Sequence, residues 1–183
     1  MGVRIIKKST TLTVLSLILV PLLHAQQTST TNPWDGWQFL MGEWTGEGTG
    51  APGEGSGGFS FALDLQGKIL VRRNHAEYPA TKDRPALSHQ DLMVVYAESG
   101  REPNRAVYFD NEGHVIHYTA QFSDGGKTLT FLSDAATSSP RFRLTYTKVD
   151  DSTVSIKFEI APPGKPDAFA TYIQASAHRK GAH

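Results

Sequence analysis

Two short clusters pair histidine with carboxylate at strand-like spacing: His89 with Asp91, and Asp110 with Glu112 and His114. Residues two apart share one face of a strand, so each cluster sets imidazole beside carboxylate. If the two strands are neighbours, His89, Asp91, Glu112 and His114 meet at one rim, a set suited to a zinc or iron ion. The same groups suit an imidazole oriented by a carboxylate for proton transfer. The plainer reading is a solvated, hydrogen-bonded rim that holds loops apart, since strand ends are commonly polar. His114 and His117, three apart, fall on opposite faces of a strand and are no metal pair.

A second constellation lies in ILVRRNH. Arg73 and His75 continue the parity of Ile69 and Val71, which predicts a cation and an imidazole facing inward with those aliphatics. Buried charge needs a partner. Either a ligand carboxylate or phosphate supplies it, or Glu77 and Tyr118 do. Tyr108 and Tyr118 join Arg73 and His75 as candidate ligand-binding residues, and the aromatics Phe59, Phe61, Phe142, Phe158 and Phe169 are core or cavity lining.

Other chemistries lack their residues. There is no cysteine for a thiol nucleophile, and no Gly-x-Ser-x-Gly elbow. Gly-x-Gly-x-x-Gly occurs at Gly48/Gly50/Gly53 and again at Gly53/Gly55/Gly58, but Pro52 and further glycines lead into an alternating strand. A phosphate loop needs a helix at that point, so the nucleotide reading fails.

The elements that must position these residues are strands. Alternation runs over 44–50, 59–65, 69–75, 92–96, 107–110, 115–122, 129–132, 142–146, 154–160 and 169–176, with Gly, Asn and Asp turns between. About ten strands in an antiparallel meander would leave two long edges unless the sheet closes, which predicts an up-and-down β-barrel, with a two-sheet sandwich as the alternative. Pro33–Met41 carries two tryptophans at a spacing suited to one helical turn plugging the barrel.

Ahead of this domain, Lys7 and Lys8, the apolar run 12–23 and Leu23-His24-Ala25 read as a secretory signal peptide over 1–25, followed by a flexible leader over 26–32 and one barrel domain over 33–180. Cleavage removes Arg4, Lys7 and Lys8, three of the 18 Lys and Arg, leaving 15 against 18 Asp and Glu, a net −3. That leaves no basic field for nucleic acid and no membrane span after cleavage. The expected location is the periplasm or outside the cell; the patterns specify no cofactor and no oligomeric state.

FLMGEWTGEGTG resembles the opening strand of calycin-type barrels, whose Gly-x-Trp begins the first strand. The chain is similar in this respect to secreted bacterial lipocalin-like proteins of unknown function and, distantly, to nitrobindin-like haem barrels. The resemblance implies that Trp44 closes one end of the barrel under an arginine near the last strand, which Arg179 matches. It also implies, for the haem branch, a histidine just ahead of the last strand, and Pro162–Tyr172 contains none.

Three functions are set against each other. The first is an exported barrel that binds a small, largely apolar, possibly acidic ligand in its cavity. The second is a metal- or acid/base-dependent enzyme using the His/carboxylate rim. The third is a structural module of the envelope. Binding is the favoured reading, and catalysis the alternative.

Overall fold

The computed structural model describes residues 1–2, 32–99 and 101–181. The expected signal peptide and leader lie, apart from Met1, Gly2 and Asn32, outside the described residues. The rest is a closed antiparallel barrel of ten strands, in which each strand pairs with its neighbours in sequence and the first pairs with the last. The strands are β1 (Gly42–Gly50), β2 (Gly55–Asp64), β3 (Ile69–Tyr78), β4 (Leu87–Tyr96) and β5 (Arg105–Asp110). They continue as β6 (Val115–Ser123), β7 (Thr128–Ser133), β8 (Arg141–Lys148), β9 (Thr153–Ala161) and β10 (Ala170–Arg179). Closure removes both edges, and period-2 alternation then divides every strand into an interior and an exterior face.

One end is plugged. A 3-10 turn, Asp35–Leu40, buries Trp37 and Leu40, and Trp37 meets Phe122 and Phe131 edge-on or tilted at 5.2 and 5.9 Å. Trp34 Nε1 donates to Gly67 O in the β2–β3 turn at 2.8 Å. Trp44 and Arg179 are direct cross-strand partners. Trp44 Nε1 donates to Leu40 O at 2.9 Å, and the Arg179 guanidinium lies 4.4 Å from the indole centroid while it donates to Met41 O and Phe39 O. These bonds satisfy the carbonyls at the end of the plug turn, which have no partner within it. The cation–π contact caps the indole face with charge instead of leaving it to water.

From the plug upward the interior is filled by Trp44, Phe61, Leu70, Val95, Leu129 and Val154, then by Phe59, Met93, Tyr118, Phe131 and Tyr146. At the opposite end the inward-facing residues are only partly buried: Asn74, His89, Tyr108, Ile116, Phe142, Ile156, Phe158 and Ala175. The barrel is therefore sealed at one end and accessible at the other.

The seam between β1 and β10 explains the glycine-rich opening. A Cβ on Gly46 would lie 2.2 Å from Ser176 O, and one on Gly48 would lie 2.7 Å from Ala175 Cβ. Gly57 is as constrained, with a Cβ there 2.1 Å from His75 O. The alternating glycines thus let neighbouring backbones approach where the sheet coils tightest. Gly46→Ala is expected to lower stability by about 1–3 kcal/mol, the usual cost of forcing atoms into a packed contact. Denaturant unfolding checks this, and a variant as stable as the parent would refute the close-approach account.

Candidate functional site at the open end

The β2–β3 hairpin decides which side chains enter the site. Phe61 pairs with Arg72, and Phe59 with Asn74. Directly opposed residues share a face, so the buried Phe59 and Phe61 carry Arg72 and Asn74 inward. The expected inward placement of Arg73 and His75 is therefore corrected: both are exposed and face outward. His75 lies over Gly58, where an added Cβ would come within 3.2 Å of its ring. The physical reason is the loop of four residues between Asp64 and Ile69: an even loop pairs odd positions of one strand with even positions of the next.

Arg72 is 5% exposed and lies between aromatic rings, 5.9 Å from the centroids of both Phe59 and Tyr146. It donates to Asp91 Oδ1 through Nη1. Asn74 Nδ2 donates to the other oxygen of Asp91 at 2.8 Å. Burial works to lower the Arg72 pKa, but the carboxylate beside it outweighs that and holds the guanidinium charged. Asp91 faces Asp110 directly across the β4–β5 ladder, and both side chains are almost wholly buried.

Asp110 is stabilised as an anion by its turn. Burial would raise its pKa, but the His114 and Glu112 N–H groups donate to Oδ1 at 2.9 and 3.0 Å and the His114 ring bonds Oδ2 at 2.8 Å, so the net shift is downward. Asn111 ties the same turn to β4, accepting from Gln90 N at 3.0 Å and donating to Ser88 O at 3.1 Å. The turn thereby holds Glu112 over His89, whose Nδ1 is 2.9 Å from Glu112 Oε1. His89 Nε2 lies 3.1 Å from the Tyr108 hydroxyl and 3.4 Å from Asp91 Oδ2. Both ring nitrogens therefore face oxygens that accept hydrogen bonds, the arrangement an imidazolium requires. The bond to Asp91 is the largest influence on the ring and, with Glu112, raises its pKa against the opposing effect of burial.

Tyr108 is held as a neutral phenol, first by burial and then by the charges of Asp91 and Asp110. Its hydroxyl bonds Asp110 Oδ2 at 3.3 Å, and its ring meets Tyr118 edge-on at 6.2 Å. Tyr118 is fully buried, and burial raises its pKa too. Tyr146, on the same interior level, is pushed up to about 12 by burial. Its hydroxyl and Arg72 Nε are buried without a hydrogen-bond partner.

The rim set expected to hold a metal is only partly assembled. His89, Asp91 and Glu112 form one hydrogen-bonded chain, while His114 turns to Asp110. Among the described residues no three His, Asp or Glu side chains are placed to hold a metal ion. Arg72, Asn74 and Asp110 complete the network, and parity across the β2–β3 turn is the signal that points to the first two.

Two depressions border the described barrel. One of about 380 Å³ is lined by Arg73, Asn74, Gln90, Asp91, Leu92, Phe109 and Asp110, and so adjoins the network. A larger one, about 830 Å³, lies at the plugged end among Asp35, Phe39, Lys127, Lys148, Asp151 and Arg179. Its cations are largely committed, Arg179 to the plug carbonyls and Lys148 to Asp151 at 2.6 Å. Size alone does not make it the site; the open end has the convergent polar groups.

No protein-family model matches the chain, and no curated protein matches it. Among solved structures it is similar to an S-type phycobiliprotein lyase, CPES, of Guillardia theta, at 9% identity and TM-score 0.49, covering 80% of this chain and 92% of that one. It is also similar to a de novo designed fluorescence-activating β-barrel, at 12% identity and TM-score 0.39, covering 78% and 95%. A third is EF1p2_mFAP2b bound to DFHBI, at 10% identity and TM-score 0.37, covering 79% and 97%. The likeness is one of barrel architecture, calycin-like in outline, and what the site can do depends on its own side chains.

The His89 shift gives a pH-dependent expectation. Because its folded pKa is raised above the ordinary 6.5, its contribution to stability is fully present below that value and is lost as pH rises through the folded pKa. An NMR titration of the His89 ring should give a midpoint above 6.5, and Glu112→Gln should lower it. A midpoint at or below 6.5 in the parent protein would refute the imidazolium assignment.

Proposed function

We propose that this protein is an exported binding barrel that holds a small, largely apolar molecule at its open end. The observation that supports it best is the contrast between the two ends. The interior next to the plug is fully buried, whereas at the far end Ile116, Phe142, Ile156 and Phe158 face inward and stay partly accessible. Apolar side chains lining an accessible interior, with a few convergent polar groups, are the usual make-up of a small-molecule site. Phe142 and Phe158 stack with centroids 6.0 Å apart and form the flat apolar wall.

Binding is favoured over acid/base catalysis by the state of His89. A general base needs a nitrogen lone pair aimed at substrate, and both nitrogens here are turned to protein oxygens. The acidic end considered for the ligand has lost its basis as well. Arg73 and His75 face outward, and the interior guanidinium of Arg72 is committed to Asp91. Export rests on the sequence features of residues 1–25, and the mass of the mature protein recovered from its host tests it through the expected cleavage after Ala25.

Titration with Nile red, a neutral dye that brightens in apolar surroundings, tests the binding reading. Saturable one-to-one binding is expected, weakened by roughly ten-fold or more in Ile156→Trp, which fills the accessible end. Absence of saturable binding to the folded parent, or binding that Ile156→Trp leaves unchanged, would overturn it.

A further inference from the structure

The charge balance of the open end specifies the ligand more closely, an inference that rests on the binding function just proposed. Asp91 and Asp110 are paired directly across two strands with both side chains facing inward. Like charges in that position destabilise a sheet unless something compensates them. Arg72 compensates one of them, through Asp91. Among the described residues no lysine or arginine lies within 4 Å of Asp110 or Glu112; their charged partners are the imidazoles of His114 and His89. Imidazole charge is lost around neutral pH, where a cluster of one guanidinium and three carboxylates is left in negative excess.

The surroundings suit a cation. The edges of the cluster, at Asn74, Asp91 and Asp110, border the 380 Å³ depression. The faces of Phe142, Phe158 and Tyr108 lie at the same end of the barrel, and aromatic faces attract cations as well as hydrocarbon. The buried Tyr146 hydroxyl, close enough to Arg72 and Asp91 to respond to their charges, has lone pairs that no protein donor uses. A carboxylate-bearing ligand would meet three carboxylates and, among the described residues of the cluster, no uncommitted cation.

We infer that the open-end site takes an amphipathic ligand whose polar end is a cationic nitrogen, a primary amine or ammonium, drawn to the Asp91–Asp110–Glu112 cluster, with its apolar part against the Phe142–Phe158 wall. Anionic and neutral ligands of the same hydrocarbon bind more weakly.

Competition against bound Nile red tests this with three probes of one chain length, dodecylammonium, dodecanoate and dodecanol, each below its micelle concentration near neutral pH. Dodecylammonium is expected to displace the dye at a concentration roughly ten-fold lower than dodecanoate, about the ratio given by one favourable charge contact. Added salt should narrow the gap by screening. Glu112→Gln, at an exposed position, should narrow it while leaving dodecanol unchanged, and Asp110→Asn should narrow it further; circular dichroism confirms that each variant is folded. Equal or better displacement by dodecanoate overturns the inference while the dye signal still stands for the binding reading. Failure of the parent to bind the dye overturns both.

Discussion

The structure depends on closing a ten-stranded sheet on itself through β1 and β10. That seam works only because the interior face of β1 is nearly bare: Gly46, Gly48 and Gly50 lie opposite Ala177, Ala175 and Ile173, with backbone where side chains would otherwise be. Closing the seam satisfies the two strand edges together and fixes the register of everything else. It also places Arg179 over Trp44, so the residue that ends the last strand locks the plug that seals the base. Bulk excluded from the seam is found on the facing strands, where Phe131, Tyr146, Phe142 and Phe158 fill the interior unevenly.

That uneven filling separates a supporting half from a working half. Near the plug, aromatic edges and faces interlock through Trp37, Phe122 and Phe131, an apolar contact that asks for no polar partner. Toward the mouth, β3, β4 and β5 each contribute one polar residue or more to a single network, Arg72 and Asn74, His89 and Asp91, then Tyr108 and Asp110. A buried ion pair such as Arg72–Asp91 adds little net stability once desolvation is counted. Its retention in the middle of an aromatic core is better understood as orientation: it fixes the inner end of the network while the β5–β6 turn fixes the outer end.

Much of the architecture is legible in the sequence. Ten alternating segments with turn residues between them point to a barrel, since closure covers both edges of so long a meander, and Gly-x-Trp marks where the first strand begins. His89 and Asp91 read as one face of a strand, and they are on one face. Alternation misleads at Ile69–Arg73, where both parities carry an aliphatic and an arginine, so that pattern alone cannot choose between them. Loop length does choose: across an even loop the odd phenylalanines of β2 select Leu70, Arg72 and Asn74 as the interior set. Asp110 is visible as a turn residue, but its burial against Asp91 depends on the β4–β5 register, which no local pattern encodes.

A barrel stoppered at its base has a single doorway. Whatever enters must leave by the same route, so two guests cannot queue from opposite sides and one cannot push another through. Arrival and departure share one obstacle, the β5–β6 turn that Asn111 fastens to the rim strand. Loosening that fastening would quicken loading and unloading alike while leaving their ratio, and hence the affinity, nearly untouched. In such a vessel how long a guest stays and how tightly it is held are set by different residues, the first by the hinge of the rim and the second by the lining beneath it.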